Sequence, residues 1–528
     1  MPKVLISDKL SPEAVAIFRT RGIDVDVRPG LSPAELREII GAYDGLAIRS
    51  ATKVTKELLD AATRLKVVGR AGIGVDNVDL KSATARGVIV MNTPHGNSIT
   101  TAEHAIAMMF SLARQIPEAT ASTKAGKWEK NRFMGTELTG KVLGLIGAGN
   151  IGSIVANRAQ GLHMRVVAYD PYLSEKRALD LGVEKLELSE VLARADFLTL
   201  HTPLTDATRN ILSASSLAAC KRGVRIINCA RGGLIDEAAL AEAILAGQVG
   251  GAALDVFETE PARDSPLFGL ENVVCTPHLG ASTNEAQENV ALQVAEQISD
   301  FLLTGAVTNA INTASVSAED APRLRPYMEL VQRLGAFAGQ LTRAQDGVIR
   351  KIAIDYEGAV ASLNQKPLTA AALAGLLSPV LAGVNMVNAP VAAREHGIDV
   401  SETEHDRPSE YQTLVRITVT TDQGARSVAG TLFAGNMPRL VEIKGIKVEA
   451  DFSPHMLYVT NLDKPGFIGR FGDTMARHDI NIATFHLGRA GPGGDAICLI
   501  SIDNAVPENV LAEIRAIPLV MQATPLVF

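Results

Sequence analysis

The sequence predicts a multidomain α/β protein: two parallel-sheet domains in series, then an α+β domain, then a small βαββαβ unit. Three observations predict it. The chain has 528 residues, too many for one fold unit when domains hold about 100–200 residues. Short apolar runs alternate with amphipathic stretches in two successive series, as strands joined by crossover helices do. From about Ser453 the order becomes strand, helix, strand, strand, helix, strand, which is that of a ferredoxin-like unit.

Taken in order, the first series runs from Lys3 to about Met91 as KVLISD, SPEAVAIFRTRG, GLAIRS, KVVGRAG and GVIVMN. Residues 98–117 carry a continuous helical pattern, predicting one long helix that leaves this domain. The second series opens at KVLGLIGAGNIG and continues through RVVAYD, ADFLTLHTP, VRIINCARGG, GGAALDV and NVVCTPHLG. Each of these strands is followed by a turn of Gly, Pro or small residues, where open α/β sheets bind ligands. A second long helix is expected over 283–303, capped by Thr283 with Gln and Glu in its first turns. TASVSAEDAPRLRP, after Asn312, is small, polar and proline-bearing, and reads as a linker. Residues 317–452 hold β patterns with a helix near 368–377, and 453–528 form the closing unit.

Composition removes several classes of function. With 51 Lys+Arg against 58 Asp+Glu the net charge is −7, leaving no global basic surface for nucleic acid. Aromatic residues are 4% of a chain that is 47% apolar, so aliphatic side chains must fill the cores. Cys220, Cys229, Cys275 and Cys498 have neither disulfide-framework nor metal-ligand spacing, which fits a reducing cytoplasm and no structural metal. The N-terminus has no signal-like apolar region, and Pro379, Asn385, Asn388 and Pro390 interrupt the longest charge-free stretch; no membrane span is expected.

The sharpest chemical signal is Gly147-Ala148-Gly149-Asn150-Ile151-Gly152, which follows a strand and opens a helix. Its glycines allow a tight turn, close approach of backbone to a pyrophosphate and close helix packing, and the helix N-terminus favours the phosphate charge. Asp170 ends the next strand, RVVAYD, 18 residues after Gly152, near the distance at which an acid binds the adenosine ribose hydroxyls. Such an acid repels a 2′-phosphate, so the expected cofactor is NAD rather than NADP, on a Rossmann-like domain. Three polar residues fall at later strand ends: Arg231 in NCARGGLID, Glu260 in DVFETEP and His278 in TPHLGAST. Oxidising a secondary alcohol needs a base for the hydroxyl proton, and His278 suits that task. A carboxylate beside it, Glu260, would raise its pKa and fix its orientation, and Arg231 offers a planar fork for a substrate carboxylate.

At these residues the chain resembles the D-isomer-specific 2-hydroxyacid dehydrogenases, and within them the long form that acts on 3-phospho-D-glycerate. The likeness extends to RSATKV at Arg49–Val54, GRAGIGVDNVD at Gly69–Asp79 and NTPHGNS at Asn92–Ser98. It implies two Rossmann-like domains: a discontinuous substrate-binding domain of residues 1–98 plus 285–312, and an inserted NAD-binding domain of 99–284. An intervening regulatory domain over 317–452 and an ACT domain over 453–528 follow. The resemblance assigns His278, Glu260 and Arg231 as catalytic residues. It implies NAD contacts from Gly147, Gly149, Asn150, Ile151, Gly152, Asp170, Thr202, Cys229, Ala230, Arg231, Asp255, His278, Gly280 and Ala281. Substrate contacts would come from Arg49, Ser50, Gly72, Ile73 and Gly74, with Lys130 and Arg132 as candidates that reach a neighbouring subunit's site. Asn461, Asp463 and Asn481 would bind an amino-acid effector, L-serine, at an ACT interface of a homo-oligomer, a dimer or a tetramer. Lys444 and Lys447 offer an anion site in the intervening domain, against the simpler reading of a wet strand face. The competing expectations are another D-2-hydroxyacid dehydrogenase, which RSATKV and the two extra domains oppose, and a non-catalytic NAD-sensing protein, which has no need of Arg231, Glu260 and His278.

Overall fold

Five strands of the first series, Lys3–Ile6, Asp24–Val27, Gly45–Ile48, Val67–Arg70 and Ile89–Asn92, pair in parallel in the order 2-1-3-4-5. This is a computed structural model, and it describes residues 1–94, 96–317, 319–345, 347–405 and 410–528. Strand side chains alternate faces, so Val4 and Ile6 enter one core layer and Leu5 the other. The Val4 layer is closed by Phe18 and by Val290, Val294 and Ile298 of the helix Asn284–Thr304, which returns to the first sheet from far along the chain. That helix starts where its cap predicts, with the Thr283 hydroxyl accepting the Ala286 N–H at 3.2 Å.

The second series makes a seven-stranded parallel sheet of Val142–Ile146, Arg165–Tyr169, Glu184–Lys185, Phe197–Leu200, Val224–Asn228, Val249–Leu254 and Val273–Cys275. Its spatial order is 3-2-1-4-5-6-7, so the winding reverses between Val142–Ile146 and Phe197–Leu200, opening a crevice at their C-terminal ends. The long helix expected over 98–117 is instead two helices, Ser98–Arg114 and Ile116–Lys124, with Gln115 left-handed at φ 52° between them. The cause is Pro117, which has no N–H for the carbonyl of Ala113; that carbonyl accepts the Thr136 N–H at 2.8 Å instead. Ser98–Arg114 packs on the second sheet through Ala102, Ala105, Met108 and Met109, so the chain crosses between the two sheets at both ends of the inserted segment.

The linker expectation after Asn312 is corrected. A 23-residue helix, Ala321–Arg343, starts inside it. Pro322 falls in the first turn, where no N–H bond is required, and Leu324, Leu330, Val331, Leu334, Phe337 and Leu341 supply a buried stripe that outweighs Pro326. Its partner is the helix Gln365–Leu377, buried on every side from Pro367 to Leu377. The two backbones come so close that a Cβ at Gly335 or Gly339 would stand 2.2 or 2.1 Å from the carbonyls of Ala372 and Leu376. Both helices cover a mixed six-stranded sheet, from Ile349–Gly358 to Ile446–Asp451, in which only the first two strands run parallel.

The last unit is an antiparallel four-stranded sheet of His455–Leu462, Ile482–Arg489, Asp495–Ile502 and Val520–Val527 in the order 2-3-1-4. Leu457, Val459, Cys498 and Ile500 face its own helices Phe467–Arg477 and Glu508–Arg515. Met456, Tyr458, Ile497 and Leu499 face the other way and join the core of the preceding domain. Among the described residues no helix is long and apolar enough to cross a membrane.

Candidate active site

The glycine turn sits at the reversal point of the seven-stranded sheet, and each glycine has its own geometric reason. Gly147 adopts φ 94°, and a Cβ there would stand 2.7 Å from the His201 carbonyl. A Cβ on Gly152 would come within 2.1 Å of the Gly147 carbonyl, so only glycine lets the helix Asn150–Gly161 seat on the turn. A Cβ built on Gly149 would meet no other part of the protein within 4 Å, which leaves the approach from outside open. Beside the turn the Thr202 hydroxyl is buried with no hydrogen-bond partner. Asp170 accepts the N–H groups of Ala148 and Tyr172, both at 2.8 Å, one on each oxygen, leaving each oxygen further lone pairs. An open glycine cradle, an orphaned hydroxyl and a carboxylate with spare acceptor capacity fit a dinucleotide.

At the ends of the neighbouring strands stand the groups expected to do chemistry. His278 Nδ1 lies 2.7 Å from Glu260 Oε2, and Glu260 Oε1 accepts the Phe257 N–H at 3.1 Å. The hydrogen bond to Glu260 raises the pKa of His278 above its ordinary value, and burial only partly opposes it. Burial pushes the Glu260 carboxyl up, yet the His278 and Phe257 hydrogen bonds outweigh that and hold it low. His278 is itself left-handed, at φ 57°. Its turn is clamped by Asp255: the Asp255 carbonyl accepts the His278 N–H at 2.9 Å, and its carboxylate accepts the N–H groups of Leu279 and Gly280, each at 2.7 Å.

Arg231 reaches across to the first domain. Its Nε donates to Asp76 at 3.1 Å and its Nη1 to the Ala230 carbonyl at 2.7 Å. Asn228 shapes that turn from beneath, accepting the Ala230 N–H and donating to the Arg231 carbonyl. Glycine at position 74 leaves the guanidinium its present place: a Cβ there would lie 1.7 Å from Arg231 Nη2 and displace it. Gly72, at φ 145°, gives its N–H to Thr93, while the Ile73 carbonyl accepts the Asn92 amide.

A cleft of about 980 Å³ joins these parts, lined by Arg49, Ser50, Lys53, Arg70 and Gly72 from the first domain and Glu260, His278 and Ala281 from the second. The Arg49 backbone is pinned by Asp8 and Asn77, but the side chains of Arg49 and Lys53 make no hydrogen bond or ion pair among the described residues. Arg70 is a cleft cation absent from the sequence-based set, although it stands inside GRAGIGVDNVD. Its Nε is buried without a partner, and burial, reinforced by the charge of Arg231, lowers its pKa to about 10. A desolvated guanidinium facing a second one is stabilised by an anion between them. His95, in the Asn92–Ser98 motif, lies outside the described residues.

The comparisons with known proteins agree with this geometry. Residues 106–280 match the D-isomer specific 2-hydroxyacid dehydrogenase, NAD binding domain; residues 323–444 match the D-3-phosphoglycerate dehydrogenase intervening domain; residues 455–519 match the ACT domain. The chain is 43% identical over 519 residues to the D-3-phosphoglycerate dehydrogenase of Synechocystis sp., covering 98% of this chain and 93% of the relative. The chain belongs to the D-3-phosphoglycerate dehydrogenase family. The Bacillus subtilis member is 42% identical over 520 residues, with 98% of both chains covered. Among solved structures, the TT0316 protein from Thermus thermophilus is similar at 37% identity and a TM-score of 0.54, covering 58% of this chain and 99% of its own.

For a D-3-phosphoglycerate dehydrogenase the remaining candidates are placed unevenly. Arg132 is held by Glu129 and Glu271, and Lys130 has no partner among the described residues. Lys447 pairs with Glu410 at 2.6 Å on the exposed face of its strand. In the ACT unit Asn461 is buried and donates to the Leu462 carbonyl, and Asp463 accepts from Arg489 at 2.8 Å and from the Gly493 N–H. Asn481 donates to Asp503 at the other end of the strand Ile482–Arg489, about 25 Å away at roughly 3.3 Å per residue. One chain does not bring the three together.

Proposed function

We propose that this dehydrogenase oxidises 3-phospho-D-glycerate at C2 to 3-phosphooxypyruvate, the entry step of a phosphorylated route to L-serine. The observation that carries the reading is the His278–Glu260 pair, 2.7 Å apart, in a cleft whose facing wall presents Arg49, Lys53 and Arg70. NAD, when bound in the glycine cradle, supplies the acceptor for the C2 hydride. His278, neutral at Nε2, takes the hydroxyl proton, and the Glu260 carboxylate at Nδ1 stabilises the imidazolium that forms. Arg231 and the N–H groups of Ile73 and Gly74 in the Gly72–Gly74 turn hold the substrate carboxylate, while Arg49 and Arg70 meet the phosphate, whose double charge suits forked cations. Gly147, Gly149, Asn150, Ile151, Gly152, Asp170, Thr202, Cys229, Ala230, Gly280 and Ala281 surround the cofactor's path, with Asp255 buried behind the His278 turn. Support for a homo-oligomer comes from Trp128 and Met134, which are 87% and 79% exposed in one segment, and the ACT unit supports L-serine as effector.

The test is NADH formation with 3-phosphoglycerate, unphosphorylated glycerate and lactate in parallel, each with and without L-serine. Turnover confined to the phosphorylated acid is the expected result. Equal rates with lactate would overturn the substrate assignment.

A further inference from the structure

The helix Ser98–Arg114 touches the catalytic turn along one face. Residues 101, 104 and 108 recur at three and four positions, so they share a stripe. Each meets the same short segment: Thr101 packs beside Gly280, where a Cβ would lie 3.4 Å from its methyl carbon, and the Met108 sulfur lies 3.8 Å from the Thr276 hydroxyl. His104, between them, places Nε2 3.2 Å from Asp255 Oδ1 and 3.3 Å from Thr276 Oγ1.

Asp255 is fully buried, and a buried carboxylate persists only when its oxygens are filled by donors. Its donors are the Thr276 hydroxyl at 2.6 Å, the Leu279 and Gly280 N–H groups, and His104. A carboxylate only accepts, so His104 Nε2 carries a proton toward it. The two N–H groups belong to the residues directly after His278, and the Asp255 carbonyl holds the His278 N–H. Whatever fixes Asp255 therefore fixes the left-handed backbone from which the imidazole projects.

We infer that His104 is a positioning residue for His278, acting through Asp255 and tying the interdomain helix to the catalytic turn. The helix begins next to Asn97, which lines the cleft. A shift of the first domain is thus felt at the turn through the 101–104–108 stripe. Cys229, also close to this pair, is kept a neutral thiol by burial, which drives its pKa upward, and makes no hydrogen bond to the carboxylate among the described residues.

The inference rests on the proposed reaction for its kinetic consequence but not for its structural one, and the test separates them. In the full-length protein, His104→Phe removes the donor at similar size and His104→Gln restores one. Amide hydrogen exchange of the peptide containing Leu279 and Gly280 is read together with kcat and KM for 3-phosphoglycerate. The expected result is exchange at least tenfold faster in His104→Phe and near wild type in His104→Gln. Alongside it, kcat falls about tenfold in the Phe variant with KM changed less than twofold, and recovers in the Gln variant. Unchanged exchange at the turn, or equal loss in both variants, overturns the inference. A wild-type protein inactive on 3-phosphoglycerate would sink the proposed reaction and leave the exchange readout standing.

Discussion

The turns of the nucleotide domain and the strand ends of the ACT unit carry the same kind of polar residue to opposite ends. Around His278 the backbone is held at three consecutive N–H groups by one residue, Asp255, and the imidazole is held by Glu260. The groups proposed to act on substrate are in place within a single chain. In the ACT unit the side chains of Asp463 and Asn481 are taken up by Arg489 and Asp503 at opposite ends of the sheet. A parallel sheet gathers its strand ends on one edge, so residues after successive strands converge. In the ACT sheet Asp463 follows the end of His455–Leu462 while Asn481 precedes the start of Ile482–Arg489, two strands that point the same way on either side of Asp495–Ile502, so the two residues stand at opposite edges of one copy.

The largest effects should fall where one chain is complete. His278→Ala should lower kcat about 10²- to 10⁴-fold, the usual contribution of a positioned general base, with NADH binding measured by fluorescence retained. Equal turnover would remove the base from the mechanism. Glu260→Gln comes next, with a sign fixed by the pair. The proton acceptor must be neutral, so activity in the oxidative direction falls as pH drops through the His278 pKa, which Glu260 holds above the ordinary 6.5. Without the carboxylate that pKa falls. The acid limb of kcat/KM should then move to lower pH while the plateau drops about tenfold or more. A limb that stays in place would assign the titration to another group.

The same contrast explains what could be read from the chain alone. The glycine turn, Asp170, Arg231, Glu260 and His278 each follow a strand of one parallel sheet, so spacing along the chain predicts proximity in space. Arg70 ends a strand too, but its role depends on burial and on Arg231 lying opposite, and neither is local. His104 had no local signal at all, because one histidine on an apolar helix face looks like any core contact. The helix Ala321–Arg343 was hidden by Pro322 and Pro326, whose usual meaning is overridden by close packing on Gln365–Leu377. The first long helix breaks at Gln115 because Pro117 has no N–H for the Ala113 carbonyl, a signal present in the sequence but outweighed there by the apolar pattern.

Arg70 offers a sharper test of the cleft wall. Arg70→Met keeps the apolar stem and removes the charge. A charge-assisted hydrogen bond to a phosphate contributes about 1.5–3 kcal/mol, so KM for 3-phosphoglycerate should rise roughly 10- to 150-fold while kcat changes little. The variant also relieves Arg231 of a like charge, so turnover of unphosphorylated acids should not fall. If KM for glycerate and 3-phosphoglycerate rise together, Arg70 holds the carboxylate and not the phosphate.

The smallest effect is expected at the ACT unit, and it tests the contrast most directly. The strand Ile482–Arg489 is the edge of its sheet, and two copies laid antiparallel along that edge would bring the start of one strand to the end of the other. Asn481 of one copy would then approach Asp463 of its partner. Asn481→Ala and Asp463→Ala should each weaken L-serine inhibition by about 3- to 10-fold, the worth of one neutral or partly screened hydrogen bond. Mixing the two variants distinguishes the arrangements. If each effector site takes one residue from each chain, a mixed pair holds one doubly altered site and one intact site, and inhibition at low L-serine returns. If both residues serve a site within their own chain, every site in the mixture keeps one defect, and the inhibition curve stays where the single variants left it.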